Sequence, residues 1–242
     1  MTALLEVDRA VKRFGGISAV NDLSFKVEAG ESLGLIGPNG AGKTTVFSLI
    51  MGEHRLNSGA IRLNGTDISA LPTYERIKRG VARTYQVPRP FSEINVAENI
   101  RVGLMPDSLR LMLTEGPDPD AELELARSVG FGPADLERKP SQLSMGDLRK
   151  LELARTLATA PQIILLDEVF AGLTVGEIAQ ISDLIARKRA EGMTFVIVSH
   201  DLRSLQPLID RAVVMTFGQV IAEGSFESVM SDEKVRAAYL GH

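Results

Sequence analysis

The stretch GPNGAGKTT, residues 37–45, satisfies G-x-x-x-x-G-K-[ST] between an apolar run and a helix-patterned one. Each position has a chemical reason. Gly37, Gly40 and Gly42 let the backbone wrap a phosphate so that successive N–H groups point inward. Lys43 would bridge the β- and γ-phosphates, and Thr44 would offer its hydroxyl to Mg²⁺. Pro38, Asn39, Ala41 and Thr45 complete the set of residues expected around the bound nucleotide. The helix that begins near Lys43 turns its positive dipole end toward the same anion. A nucleoside triphosphate is the expected ligand. The loop alone does not separate an ATPase from a kinase or a GTPase.

IILLDE, residues 163–168, narrows the chemistry. A buried strand ending in an acid places Asp167 at the strand's carboxyl end, where α/β sheets bind ligands. Asp167 would hold Mg²⁺ through water, opposite Thr44. Glu168 points elsewhere and would orient or deprotonate an attacking water. A nucleotide kinase usually has no need of such a base. His200 closes a second apolar strand, TFVIVSH, at what should be the same sheet edge, and is expected to sense the γ-phosphate. His54 and His242 have no such context and read as solvated. QLSMGDLRK, residues 142–150, nearly matches a second phosphate-gripping loop, but Asp147 sets a carboxylate where polyphosphate would approach.

The elements that must hold these residues follow from periodicity. Alternation over Leu4 to Val11 and Leu23 to Val27 predicts half-exposed strands. ESLGLIG predicts a short strand entering the phosphate loop, with a helix from Lys43 to about Met51. GAIRLNGTDIS reads as a hairpin, because Asn64-Gly65 suits a type I′ turn. From about Pro88 to Ala160 helical periodicity dominates, broken by a loop at EGPDPD, residues 115–120. IILLD and TFVIVSH are continuous apolar runs, expected of parallel strands covered on both faces. Between them, roughly Val175 to Glu191 reads as an amphipathic helix ended by Gly192.

Composition bounds the rest. The 242 residues suffice for one large domain or a core with a subdomain. The longest apolar runs fall far short of the roughly 18 residues that a membrane-spanning helix needs. The N-terminus has no basic region of the signal-peptide kind. Zero cysteines exclude disulfides and thiolate metal sites, and fit a reducing compartment. A net charge of −4 gives no general attraction to nucleic acid or anionic lipid.

With these residues in place, the chain resembles the ATP-binding-cassette (ABC) ATPases over nearly all its length. The resemblance implies an α/β fold of the P-loop NTPase, RecA-like type. Its parallel-sheet core would have an N-terminal antiparallel β region and a helical subdomain insertion. Residues 1–87 and 161–242 would form the catalytic core, and 88–160 the helical subdomain carrying the signature loop, within a single domain of 1–242. LSMGD, residues 143–147, is similar to that signature. Its Ser144 and Gly146, with Met145 and Asp147, would meet a nucleotide held by a second subunit. Gln86 in ARTYQ matches the family's glutamine loop and would link Mg²⁺ and the attacking water to the helical subdomain. Phe14 in VKRFGG is similar to the aromatic that stacks on adenine, and Val20 would pack against the same base.

Closer still, RFGGISAVNDLSF, VARTYQVPRPFSEINVAENI and the closing FGQVIAEGSFESVMSDEKVRAAYLG resemble ATPase subunits of branched-chain amino-acid type importers. That implies ATP and Mg²⁺ as cofactors and a second ATPase subunit, in a homo- or heterodimer. It also implies two membrane-spanning subunits, an external substrate-binding protein, and a peripheral place on the cytoplasmic face of the cell membrane. A soluble ATPase of the same fold and a weakly hydrolysing regulatory module are the rival readings. The chain departs from the family's pattern at Asp147, where glutamine is common, and at Val169, where proline follows the catalytic acid. It departs again at Ala171 to Thr174, a loop that usually ends near aspartate or asparagine.

Overall fold

The computed structural model describes residues 3–105 and 118–240. The first half contains β1 (Leu5–Phe14), β2 (Ile17–Val27), β3 (Ser32–Ile36), α1 (Lys43–Met51), β4 (Ser58–Leu63), β5 (Thr66–Asp67), α2 (Thr73–Lys78), β6 (Val81–Arg83) and α3 (Val96–Leu104). The second contains α4 (Pro119–Ser128), α5 (Met145–Ala158), β7 (Ile163–Asp167), α6 (Val175–Ala190), β8 (Thr194–Val198), α7 (Leu202–Leu205), β9 (Arg211–Thr216), β10 (Gln219–Gly224), α8 (Phe226–Ser231) and α9 (Glu233–Leu240).

Six strands form one sheet in the order β10-β9-β3-β8-β7-β6. All its pairings are parallel except the β9–β10 hairpin at one edge. Both faces are covered, so successive residues of the central strands enter different cores. Ile163, Leu165, Val196 and Val198 pack with α1 and the antiparallel strands. Ile164, Leu166, Phe195 and Ile197 pack with residues of α3, α5 and α6 on the other face. That double burial is why these strands read as unbroken apolar runs. The second sheet, β2-β1-β4-β5, is wholly antiparallel.

Several sequence expectations meet the structure closely. The helix after the phosphate loop runs Lys43–Met51, between Gly42 and Gly52, both left-handed. Leu63 pairs with Thr66 across Asn64 and Gly65, whose φ values of 50° and 74° belong to a type I′ turn. The first two strands are longer than expected, because positive-φ residues Arg9 and Asp22 and shifts in register interrupt their alternation. The expected loop at 115–120 is corrected in part. Asp118 caps α4 by accepting the N–H groups of Asp120 and Ala121, and Pro119 is its first residue. Residues 115–117 and His242 lie outside the described residues.

Candidate nucleotide and catalytic site

The parallel strands deliver their chemistry to one edge. β3 ends at Ile36 and the chain enters the phosphate loop. Gly37, at φ 153°, passes so close to the Met215 carbonyl that a Cβ would sit 2.1 Å from its oxygen. A Cβ on Gly42, at φ 104°, would lie 2.4 Å from the Ala19 carbonyl oxygen. The loop is thus wedged between β2 and β9, and only glycine fits at both contacts. No side chain caps α1, so its first turn keeps N–H groups for a ligand. Asn39, Gly40 and Thr44 are exposed, whereas Pro38 and Thr45 are half-buried and Ala41 is buried. Lys43 is buried and donates to the carbonyls of Gly37 at 2.7 Å and Pro38 at 3.1 Å. Burial holds its ammonium below the usual lysine range, although Glu168 and Asp167 pull the other way.

Asp167 closes β7, and its carboxylate is 4% exposed. It pairs with Arg83 at 2.6 Å. Glu168 then leaves the strand direction with φ 50°, a left-handed conformation that costs a non-glycine residue roughly 1–2 kcal/mol. Its N–H donates to Val198, and its carboxylate turns toward the end of β8. There it accepts the His200 backbone N–H at 3.1 Å and lies 3.2 Å from His200 Nε2. A carboxylate and an imidazole are thereby joined, with the ring 55% exposed and open to solvent. This geometry can take a proton from water and steady the charge that follows.

Gln86 is exposed, and its loop is held by its backbone. Arg149, from α5, donates to the carbonyls of Tyr85 and Gln86 and, at 3.4 Å, to that of Glu168. One guanidinium therefore ties the Gln86 loop to the Glu168 turn and to the helix that begins at LSMGD. Arg83, Arg149 and Glu177, below, were not among the sequence candidates. Arg83 had a visible signal, a charge at the end of an apolar strand that reaches the same sheet edge.

Phe14 is half-exposed at the end of β1, with the Lys12 ammonium over its ring at 4.9 Å. His54, read from sequence as solvated, is exposed and packs edge-on against that ring at 5.1 Å. Val20 is a correction. It is fully buried among the core residues behind the loop and offers no surface to a base. Its side chain occupies an inward position of β2, as Leu23, Phe25 and Val27 do.

The LSMGD segment opens α5 away from these groups. Ser144 is the N-cap and accepts the Asp147 N–H at 3.1 Å. Met145 is half-exposed. Asp147 faces cations: Lys150 at 3.2 Å and Arg138 at 4.0 Å. Among the described residues, no hydrogen bond or ion pair from this segment reaches the phosphate loop. Gly146 donates its N–H to Glu177 at 2.9 Å. The same carboxylate accepts the N–H and hydroxyl of Thr174, the N-cap of α6. Thr174 thus fills the capping role open to an aspartate or asparagine at that turn.

Glu177 is held down to about 2, first by the Thr174 N–H and then by that of Gly146. It therefore stabilises the fold fully above the ordinary carboxyl value of 4.5, and this contribution fades as pH falls from there toward about 2. Urea unfolding of the parent and of Glu177→Gln should show a stability gap that closes over that range. A gap independent of pH would contradict the double cap.

The oxygen donors of Thr44, Asp167 and Gln86 suit Mg²⁺, a hard cation bound through one or two carboxylates together with substrate phosphates.

A model of the ABC transporter family matches residues 20–171. A model described as branched-chain amino acid ATP-binding cassette transporter matches residues 219–242. The chain is 35% identical to the high-affinity branched-chain amino acid transport ATP-binding protein BraF of Pseudomonas aeruginosa, over 98% of each chain. It is equally similar, at 35%, to the lipopolysaccharide export system ATP-binding protein LptB of Haemophilus influenzae, over 99% of this chain and 98% of that one. A solved nucleotide-free ATP-binding cassette from an ABC transporter has a TM-score of 0.89 and 30% identity, covering 99% of this chain and 100% of the other. A cassette in its ADP conformation has a TM-score of 0.88 and 30% identity, with complete coverage of both chains.

Proposed function

Because the chain belongs to the ABC transporter ATPase family and hydrolyses ATP as a transporter subunit, we propose that it powers import of a small polar or amino-acid-like solute. The observation that carries this reading is the match of residues 219–242 to the branched-chain amino acid cassette model. Those residues include β10, α8 and α9, which close the sheet edge beside the phosphate loop.

In this reading Phe14 stacks on the adenine, and the loop from Gly37 to Thr45 takes the phosphates with Lys43. Thr44, Asp167 and Gln86 would hold Mg²⁺, which when bound offsets phosphate charge. Glu168 receives the proton of the attacking water, and His200 holds the Glu168 carboxylate and meets the γ-phosphate. Ser144, Met145, Gly146 and Asp147 complete the site of a second ATPase subunit. Asp147 already faces Arg138 and Lys150, which moderates its repulsion of that subunit's triphosphate.

The helical segment, 88–160, would convey closure to two membrane-spanning subunits, with Gln86 as the hinge contact. A groove of about 400 Å³ runs between α1 and α2 on one side and α3 and α5 on the other. Exposed Tyr85 and Val102 line it, with Arg89 and Arg155. Among the described residues no helix is long and apolar enough to cross a membrane, so membrane association would be peripheral, through those partners. An external binding protein would select the solute.

The similarity to LptB favours a second reading, an ATPase of lipopolysaccharide export. Replacing the chromosomal copy with a Lys43→Ala variant separates the two. Import predicts loss of most high-affinity uptake of radiolabelled branched-chain amino acids, with surface lipopolysaccharide unchanged. Intact uptake with depleted surface lipopolysaccharide would overturn import in favour of export.

A further inference from the structure

We propose that Arg83 is a built-in counter-cation for the metal acid Asp167, and that it sets how tightly the site takes a divalent cation before nucleotide binds. The inference rests on Asp167 serving as the metal acid. Arg83 closes β6 beside β7, with Arg83 paired to Leu165, so its side chain and that of Asp167 leave neighbouring strands at the same edge. Its Nη2 lies 2.6 Å from Asp167 Oδ2, and both side chains are 4% exposed. The guanidinium is shared. Nη1 lies 2.9 Å from Glu53 and donates to Ser48 Oγ at 3.1 Å. Its Cζ lies over the rings of Phe47 and Tyr85, 5.7 and 5.0 Å from their centroids. Among the described residues Arg83 Nε has no hydrogen-bond partner.

Such a cation has a consequence for a second one. A divalent ion approaching Asp167 meets a carboxylate already neutralised, and a fixed positive charge behind it, in a site with little water to screen either. Lys43 adds a further positive charge on the loop side, and Glu168 a negative one. Metal binding therefore waits for the phosphate oxygens of a nucleotide to tip the balance. Glu53 governs how much of the Arg83 charge falls on Asp167, because it holds the opposite edge of the guanidinium and accepts the Tyr85 hydroxyl at 3.0 Å. Tyr85 adjoins Gln86, so movement of the glutamine loop would alter that sharing.

The charge model makes two substitutions act in opposite directions. Mn²⁺ alone is titrated into nucleotide-free protein, and free Mn²⁺ is followed by its paramagnetic resonance signal. Arg83→Gln should bind Mn²⁺ at least about tenfold more tightly than the parent, because it keeps a hydrogen-bond donor and removes the charge. Glu53→Gln, at a partly exposed position, should bind it more weakly, because Arg83 is then left to Asp167. Loosened packing alone would shift both variants the same way. Affinity unchanged or weakened in Arg83→Gln overturns the proposal, as does a shift of the same sign in both. Adding Asp167→Asn to Arg83→Gln must abolish the tightening. Tightening that survives in the double variant would instead remove Asp167 as the metal acid.

Discussion

Glu168→Gln should lower ATP turnover by roughly 10²–10⁴-fold, the usual cost of losing a general base. That range corresponds to roughly 3–5 kcal/mol of barrier. The substitution isolates proton acceptance from shape. Glutamine has the same length, can occupy the same left-handed turn, and keeps a carbonyl oxygen for the His200 N–H that Glu168 accepts at 3.1 Å. What it loses is the ability to take a proton from water. Binding of ATP should therefore survive, and steady-state hydrolysis should nearly stop. Turnover at the parental rate would take Glu168 out of the base role. The same variant reports on the LSMGD segment, since blocked hydrolysis should trap any closed pair of subunits. A mass in solution that doubles only with Mg-ATP would mean that Ser144 and Gly146 grip a second subunit's nucleotide. A monomer at every nucleotide concentration would point to a different ATPase partner or a disabled signature. Asp147→Gln in that background distinguishes these: rescue assigns the fault to the aspartate.

The parts of this site legible in the sequence are those whose chemistry is written in neighbouring residues. A phosphate loop needs its glycines, lysine and threonine within nine positions, and left-handed Gly42 and Gly52 mark both ends of α1. The candidate metal acid and base were legible because a strand buried on both faces must be apolar until it reaches the sheet edge, so Asp167 and Glu168 stand out. Val20, on the strand paired with that of Phe14, misled because a β-branched residue there looks the same whether it faces a ligand or the core. Asp118 and Pro119 misled in another way: residues that punctuate a loop also open a helix. The pairings that lock the site together had no local signature, even where, as at Arg83, the residue itself stood out. Arg83 meets Asp167 84 positions away, and Arg149 reaches Gln86 across 63. Such pairs are products of topology, since β6 and β7 become neighbours only in the folded sheet.

Arg149→Met should destabilise the protein by about 3–5 kcal/mol, the range for removing one member of a buried charged network. The Arg149 side chain is 1% exposed and that of its partner Glu152 is 11% exposed, with 2.9 Å between them. Methionine fills most of the volume and restores none of the donors. The carbonyls of Tyr85, Gln86 and Glu168 lose this donor, and among the described residues Glu152 keeps the Tyr85 N–H at 2.8 Å as its hydrogen-bond donor. Burial already raises the Glu152 carboxyl above its ordinary value, against the pull of the Tyr85 N–H and Arg149. A carboxyl raised by folding favours the folded state most below its unfolded value, and that advantage is lost as pH rises through the folded one. Removing Arg149 takes away a group that favours the charged form, so the folded value rises further. The deficit should accordingly be largest near neutrality and shrink as pH falls below the ordinary carboxyl value of 4.5, where the unfolded chain takes up the Glu152 proton as well. Urea unfolding at several pH values measures it, and a deficit that does not change with pH would exclude the stranded carboxylate as its source. Adding Glu152→Met should recover part of the loss, as a coupled pair requires. Turnover should fall in both variants, because neither restores the donor that ties the glutamine loop to the Glu168 turn.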